Sequence, residues 1–317
     1  MTMRVLVAGA TTPLGGQLIG ALLADPATEL VLAVGAEPDP MPLGGQASAR
    51  YRYRQVDLTR SRELHDLLFA DARELGIEVI IHNALHRRAR AEGARVHALN
   101  VECTRQLLTL AERHPSIQRF VFRSAGAVYR LDPRRSTLLV EDDPLDLSPS
   151  APQKVRDRVE ADLTVCTRMG MSRLEVVVLR CAEILAANVG SQLHDYLSSR
   201  VCFRPLGFDP MLNLLSLEDA TRALVLAASG RTNGVFNVPG ADVLPLSSAI
   251  RLWGRLEIPV PGPLLAPLYA LRANALGMDF RYDLNHRRFH FSAVLDGRRA
   301  RDQLGYEPQH RIAWPAA

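Results

Sequence analysis

The feature that most constrains the fold of this chain is a regular alternation of short apolar runs with longer amphipathic stretches. The runs are rich in β-branched residues, as is typical of strands covered on both faces, and they lie at 4–9, 30–35, 78–84 and 119–125. Between them apolar residues recur every three or four positions, which predicts helices over 13–25, 60–76 and 94–114. This repetition predicts an α/β chain with a Rossmann-like, doubly wound parallel sheet.

The same pattern continues into the middle of the chain and then changes. A helix predicted over 154–170 leads into an apolar run at 174–180, so we expect a sheet of at least six strands. Beyond residue 185 the elements become shorter and richer in proline, although a helix at 216–229 and a strand at 234–240 resume the first rhythm. The second half of the chain therefore differs in organisation from the first.

A chain of 317 residues is long enough for one large or two unequal domains. We predict a Rossmann domain over 1–185, to which 212–240 returns, and a smaller C-terminal region over 186–317. Ligands of such folds bind at the carboxyl edge of the sheet. The smaller region is therefore expected to bind the substrate.

Composition argues against several classes of partner. The net charge of +4 is small and the arginines are interspersed with acids, so no basic stripe of the kind that nucleic acid requires is present. The four cysteines form no CxxC pair, so neither a disulfide framework nor a metal site is signalled. The apolar stretch at 259–277 is interrupted by prolines and an arginine, which argues against a membrane span. We expect a cytoplasmic protein without a nucleic-acid, membrane or metal partner.

The turn after the first strand resembles a dinucleotide-binding fingerprint. "VAGATTPLGGQL" leaves a strand and opens a helix, with Gly9 and Gly15 six positions apart, but Thr12 holds the place of the middle glycine. That glycine normally lets the backbone approach a pyrophosphate, and the Thr12 hydroxyl is a possible substitute donor. A strand-to-helix turn also needs glycines without any ligand, so the turn alone leaves both interpretations open.

The choice between NAD and NADP is not decided by the second strand. Gly35 stands where an acid would bind the ribose diol of NAD, and Glu37 follows two residues later. Three arginines, of the residue type that binds a 2′-phosphate, lie further along the chain at Arg50, Arg52 and Arg54.

Further ordered motifs make the chain resemble the extended short-chain dehydrogenase/reductases, the NAD-dependent epimerase/dehydratase family. They are "QVDLT", "VIIHNAL", "LNVECTRQLL", "RFVFRSAGAVYR", "VVLRCAEILA", "LLSLEDATRALVLA" and "DGRRARDQLGYEP", and the match runs from residue 4 to about residue 310. The resemblance implies that NAD or NADP is bound. The residues it places at the dinucleotide are Gly9, Thr11, Thr12, Pro13, Leu14, Gly15, Gly35, Asp57, Leu58, Asn83, Ala84, Asn100 and Lys154.

The catalytic Ser/Thr, Tyr and Lys of that family are only partly present. The YxxxK motif falls on "SAPQK", which puts Ser150 at the tyrosine position and keeps Lys154, while Ala125 stands at the Ser/Thr position and Ser124 precedes it. Lys154 is the only lysine, since the other 37 of the 38 basic residues are arginines. This lone ammonium is expected to contact a ligand. Ser150 is interpreted either as a helix cap or substrate contact, or as the nucleophile of a Ser-Lys dyad.

Other polar side chains follow strand ends at the same edge and are candidates to replace the missing groups. Glu183 and Tyr129 are the principal ones, and His82 and His86 are weaker ones.

The sequence leaves three functions open. The first is an NAD(P)-binding epimerase/dehydratase-like enzyme acting on a small hydroxylated substrate, a nucleotide sugar or a secondary metabolite, with an atypical active site. The second is a non-redox isomerase, cyclase or dehydratase on the same fold, and the third is an inactive NAD(P)-binding protein. The resemblance also implies a homodimer through a four-helix interface, formed by the helices at 94–114 and 154–170 of each copy.

Overall fold

A computed structural model describes residues 2–39, 49–134 and 136–315. The strands are β1 (Met3–Ala8), β2 (Thr28–Gly35), β3 (Tyr51–Gln55), β4 (Val79–His82), β5 (Arg119–Ala125), β6 (Leu138–Leu139), β7 (Glu175–Cys181), β8 (Glu183–Ile184), β9 (Val201–Pro205), β10 (Met211–Leu215), β11 (Gly234–Val238), β12 (Asp242–Pro245), β13 (Leu256–Val260) and β14 (Val294–Leu295).

The helices are α1 (Pro13–Ala24), α2 (Ser61–Asp66), α3 (Ala94–His97), α4 (Cys103–Arg113), α5 (Gln153–Cys166), α6 (Gln192–Leu197), α7 (Leu217–Ser229), α8 (Leu246–Leu252), α9 (Gly262–Leu276), α10 (Tyr282–His290) and α11 (Arg298–Leu304). Two π-helical segments, Leu67–Ala72 and Ala98–Glu102, continue α2 and join α3 to α4. The helices predicted over 60–76 and 94–114 therefore each contain a π-helical segment.

A seven-stranded parallel sheet forms the centre of the molecule, in the order β11-β7-β5-β4-β1-β2-β3. This confirms the predicted Rossmann-like fold class. The sequence analysis did not anticipate β3, whose residues are mostly exposed or half-buried and form no apolar run.

Each face of the sheet is covered by its own hydrophobic core. On one face, α1 and α7 pack through small and branched apolar residues against alternate side chains of the central strands. On the other face, α2, α4 and α5 cover the remaining side chains of the same strands. Burial of both faces is the reason that these strands read as continuous apolar runs.

The smaller region has a third core and lies beyond the carboxyl ends of the strands. It contains the short sheets β12-β10-β8 and β13-β9 and the helices α8, α9 and α10. The segment 212–240 was predicted to return to the Rossmann domain. Within it, β11 belongs to the central sheet and α7 packs on that sheet, whereas β10 pairs with β8 and β12. The domain division at residue 185 stays a prediction.

No helix within the described residues has the length and apolar character needed to cross a membrane. The same residues contain no group of three or more metal-ligating side chains.

Candidate functional site

The glycine turn between β1 and α1 is the first of the segments that the resemblance places at the dinucleotide. Gly9 has a φ of 86°, and a Cβ there would lie 2.8 Å from the backbone nitrogen of Ala84, so a larger residue does not fit. Thr12 is the N-cap of α1: its Oγ1 accepts hydrogen bonds from the Gly15 N–H at 2.9 Å and from Asn83 Nδ2 at 3.0 Å. The Thr12 hydroxyl donates to the Gly9 carbonyl at 3.0 Å, so its one proton is engaged inside the turn.

The end of β2 meets this turn through a threonine and a glutamate. Thr11 Oγ1 donates to Glu37 Oε2 at 2.5 Å, and this hydrogen bond lowers the pKa of Glu37. A Cβ on Gly35 would lie 2.6 Å from Thr11 Cγ2, which explains the glycine at that position. Pro13 is the first residue of α1 and Leu14 is buried in the core beneath it. Glu37 therefore supplies the carboxylate that the sequence lacks at Gly35.

The segment after β3 is fixed by a carboxylate turn. Asp57 Oδ1 accepts from the Thr59 backbone N–H at 3.0 Å and from its hydroxyl at 2.6 Å, which lowers the pKa of Asp57. Leu58 is buried beside it. Asp57 thus shapes the loop that the resemblance places at the adenine.

Asn100 links two walls of the site. It lies in the π-helical segment, where its Oδ1 accepts the His86 backbone N–H at 2.8 Å and its Nδ2 donates to Asp157 Oδ2 at 3.3 Å. The side chain therefore fixes the segment after β4 to α5.

Lys154 lies in the first turn of α5 with only 5% of its surface exposed. Its Nζ donates to the backbone carbonyl of Arg87 at 2.8 Å. Burial, together with the nearby charge of Arg158, lowers the pKa of Lys154 to about 7. The amine thus lies between the segment after β4 and a cavity of about 1070 Å³, which Lys154 helps to line.

Ser150 does not share a helix face with Lys154. The helix α5 begins at Gln153 and Pro152 holds the N-cap position, so the interpretation of Ser150 as the helix cap is wrong. Ser150 is exposed at the rim of the same cavity, and its Oγ lies 2.9 Å from the Ser148 hydroxyl. This arrangement gives no support to a Ser-Lys dyad.

Tyr129 is buried, and its hydroxyl is bonded within the protein. The hydroxyl donates to Asn237 Oδ1 at 2.6 Å and accepts from Arg180 at 3.1 Å. Burial raises the pKa of Tyr129 to about 12 although Arg180 acts in the opposite direction. Arg180 in turn pairs with Asp162, which accepts the Ser124 hydroxyl at 2.5 Å. These contacts favour a structural role for Tyr129 over the catalytic role predicted for it.

Glu183 is held as a carboxylate by its neighbours. Its Oε1 accepts from the Ser191 hydroxyl at 2.8 Å, and its Oε2 accepts from Arg288 at 2.9 Å. Burial alone would raise the pKa of Glu183, but the charge and hydrogen bond of Arg288 and the Ser191 hydroxyl outweigh it and lower that pKa to about 2. Glu183 is therefore ionised at neutral pH and positions Arg288.

The two histidine candidates differ in burial and in their hydrogen-bond partners. His82 is wholly buried, its Nε2 is 2.8 Å from the Thr104 hydroxyl, and burial lowers its pKa to about 3. His86 is half-buried and its Nδ1 lies 3.3 Å from the Arg88 carbonyl.

The sequence analysis did not identify three arginines at this site. Arg123, Arg158 and Arg288 line a small pocket beside Ala125 and Glu183. The signals were present: the two-residue period of a strand puts Arg123 on the same face as Ala125, and a spacing of four puts Arg158 on the helix face of Lys154.

Comparisons with known proteins agree with this architecture. The NAD-binding family model described as "Male sterility protein" matches residues 46–195. An uncharacterised protein of Mycobacterium tuberculosis H37Rv is 29% identical over 312 residues, which cover 96% of this chain and 80% of the relative. A 3-diazoavenalumate denitrifying reductase from a Streptomyces species is 27% identical over 330 residues, covering 97% of each chain.

The fold is also found among solved structures. The dTDP-glucose 4,6-dehydratase of Bacillus anthracis, solved in complex with NAD, superposes with a TM-score of 0.70 at 18% identity. The superposition covers 98% of this chain and 92% of the dehydratase. The resemblance derived from the sequence motifs is confirmed at the level of the fold.

Proposed function

We propose that this chain, an extended short-chain dehydrogenase/reductase by its fold and motifs, binds NAD or NADP and reduces or oxidises a small hydroxylated substrate, a nucleotide sugar or a secondary metabolite. Lys154 takes over the proton exchange that a tyrosine performs elsewhere in the family. One observation carries this proposal: the amine of the only lysine is buried beside the large cavity.

The residues at the turn fit a dinucleotide. The N-terminus of the 12-residue helix α1 follows the tight Gly9 turn, an arrangement that favours bound phosphate. The carboxylate of Glu37 at the end of β2 is an acceptor suited to a ribose diol. Because the Thr12 hydroxyl donates its proton within the turn, backbone N–H groups would bind the phosphate. A nicotinamide dinucleotide, when bound, supplies or accepts the hydride.

Lys154 has the properties that proton exchange requires. An acid/base group works best when its pKa is near the working pH, and burial brings the pKa of Lys154 to about 7. The other candidates at the site are less suited to proton exchange. Ala125 has no acidic side-chain proton, Ser150 is an exposed aliphatic hydroxyl, and Glu183 is ionised and paired with Arg288. The charged amine would donate a proton at Nζ, and the neutral amine would accept one.

The Streptomyces relative supports a redox role, since it is named as a reductase and aligns with 97% of this chain. The Bacillus anthracis dehydratase, solved with NAD, supports a dinucleotide in a cleft of this fold.

Calorimetric titration with NAD⁺, NADH, NADP⁺ and NADPH tests the proposal. We expect one site per chain, and Lys154→Met should weaken binding about tenfold through loss of a charged donor. Arg113→Gln, which removes an exposed positive charge from the end of α4, serves as the control and should bind normally. If none of the four nucleotides binds at millimolar concentration, the proposal is wrong.

We also infer that the chain forms a homodimer through α4 and α5. Ion pairs between Arg105 and Glu160 and between Arg168 and Glu112 join α4 to α5 and the turn that follows it. Leu163 lines a groove on the outer side of α5. A second copy of the same two helices would complete a four-helix interface.

A further inference from the structure

We propose that Arg123, Arg158 and Arg288 form an anion subsite at the reaction centre, and that it binds the carboxylate of an organic-acid substrate. The three side chains come from β5, α5 and α10, so they belong to both the central sheet and the smaller region. The inference deepens the proposed function, because it names the substrate class of the same site.

The pocket has the size and position for such a group. Its volume is about 40 Å³, and Ala125 and Glu183 contribute to its walls beside the three arginines. Ala127 and Gly190 line both this pocket and the cavity of about 1070 Å³. A molecule in the large cavity can therefore place one small anionic group in the pocket.

The charges around the pocket are not balanced by the protein. Glu183 is its one carboxylate and is already paired with Arg288 at 2.9 Å. Arg123 donates its Nε to Asn83 Oδ1. Arg158 has no side-chain hydrogen bond or ion pair within the part of the chain that the structure describes. At least one positive charge in the pocket thus lacks a direct ion-pair partner, which is costly for a half-buried guanidinium.

The surrounding charges strengthen this imbalance. Burial and the positive charges of Arg123 and Arg288 lower the pKa of Arg158 to about 10, although Glu183 acts in the opposite direction. Lys154 adds a further cation on the same helix face. Two further acids that act on Lys154 are already engaged, since Asp279 accepts two backbone N–H groups and Asp195 accepts from Gln192.

A carboxylate of the substrate suits these groups better than a phosphate of the dinucleotide. The guanidinium fork binds a carboxylate or a phosphate equally well through two parallel hydrogen bonds, so the position of the pocket decides between them. Ala125, which has no hydroxyl, leaves the pocket open at the strand end. Arg288 comes from the smaller region and is positioned by Glu183, so the subsite lies on the substrate side of the site.

The test compares benzoate with neutral benzamide in thermal unfolding and calorimetry, without any dinucleotide. Wild-type protein should be stabilised saturably by millimolar benzoate and not by benzamide. Arg158→Met should weaken benzoate binding about tenfold or more, as expected for loss of a charge-assisted hydrogen bond. Without ligand the same variant should unfold about 2 °C higher, because it no longer holds an unpaired charge at a half-buried position. Arg113→Gln, with the same loss of charge on the surface, should behave as wild type.

The outcomes separate the possible sources of the anion. Equal responses to benzoate and benzamide, or a full benzoate response in Arg158→Met, would overturn the inference. A variant that loses NADH affinity but keeps benzoate affinity would assign these arginines to the dinucleotide phosphates and would overturn it as well. Wild-type protein that binds benzoate but no dinucleotide would support the subsite while refuting the proposed function.

Discussion

Lys154 is nearly inaccessible to solvent and donates to a backbone carbonyl, and no carboxylate among the described residues forms an ion pair with it. A charged amine in such a place loses hydration without gaining an ion pair, which is why its pKa falls. An arginine could not respond in the same way, because the guanidinium does not release its proton in proteins. The one lysine of the chain thus occupies a position where the difference between the two side chains matters.

The titration of Lys154 can be followed directly because the chain has a single lysine. Protein labelled with ¹³C-lysine should give one side-chain signal, with its midpoint near pH 7, and urea-unfolded protein should titrate near 10.4. Because the folded-state pKa is the lower one, the unfolded chain binds more protons between these values. Lys154 should therefore make folding more favourable as pH rises through that window. A folded-state midpoint above about 9.5 would contradict the environment described for this amine.

At the residue scale, the YxxxK motif and the composition both identified Lys154, but the interpretation of the neighbour four positions before it as a helix cap was wrong. Ser150 matched a familiar N-cap residue type, whereas Pro152 holds the cap and the helix starts at Gln153. Tyr129 looked available at a strand end, yet its hydroxyl reaches Asn237, more than one hundred positions away in the chain. A contact between residues so far apart in the chain produces no local sequence pattern from which it could be predicted.

At the element scale, the π-helical segment Ala98–Glu102 carries a side chain that joins two other elements. It interrupts the predicted helix over 94–114 and places Asn100 between the segment after β4 and α5. The same segment after β4 carries the carbonyl that Lys154 contacts. The geometry of the site therefore depends on a helix irregularity that apolar periodicity does not reveal.

Replacing Asn100 with alanine should loosen this connection. The change leaves the His86 N–H and a carboxylate oxygen of Asp157 without their partner, so we expect a loss of about 1–3 kcal/mol in the free energy of unfolding. Urea unfolding measures it, with the exposed Asn233→Ala as the matched control. Equal free energies of unfolding for the two variants would show that the Asn100 hydrogen bonds do not stabilise the fold.

The strands show which elements a sequence reveals and which it hides. Those buried on both faces, such as β1 and β5, were predicted because they are apolar nearly throughout. The edge strand β3 was not predicted, because its side chains are mostly exposed or half-buried and need not be apolar. Among the described strands, β3 pairs with β2.

At the scale of the whole molecule, the repeated strand–helix rhythm was sufficient to predict the doubly wound sheet, and the solved dehydratase shares that fold. The cationic pocket was not predicted because its three arginines come from positions 123, 158 and 288, which only the folded chain brings together. The homodimer is a proposal at the scale of the whole molecule.

Light scattering after size exclusion tests the dimer. We expect a mass about twice 35.0 kDa for the wild-type chain. Leu163→Arg should give a folded monomer, because it places a charge in the groove on the outer side of α5. Met171→Arg, at an exposed position beyond that helix, should stay dimeric. A wild-type mass near that of one chain would refute the four-helix interface.

The central claim is that the cleft binds a nicotinamide dinucleotide at Lys154. The most direct measurement is a titration of ¹³C-lysine-labelled protein with NADH and NADPH, which reads the one lysine signal. The account predicts that this signal shifts saturably with at least one of the two nucleotides. A signal that stays unchanged up to millimolar NADH and NADPH would contradict the account.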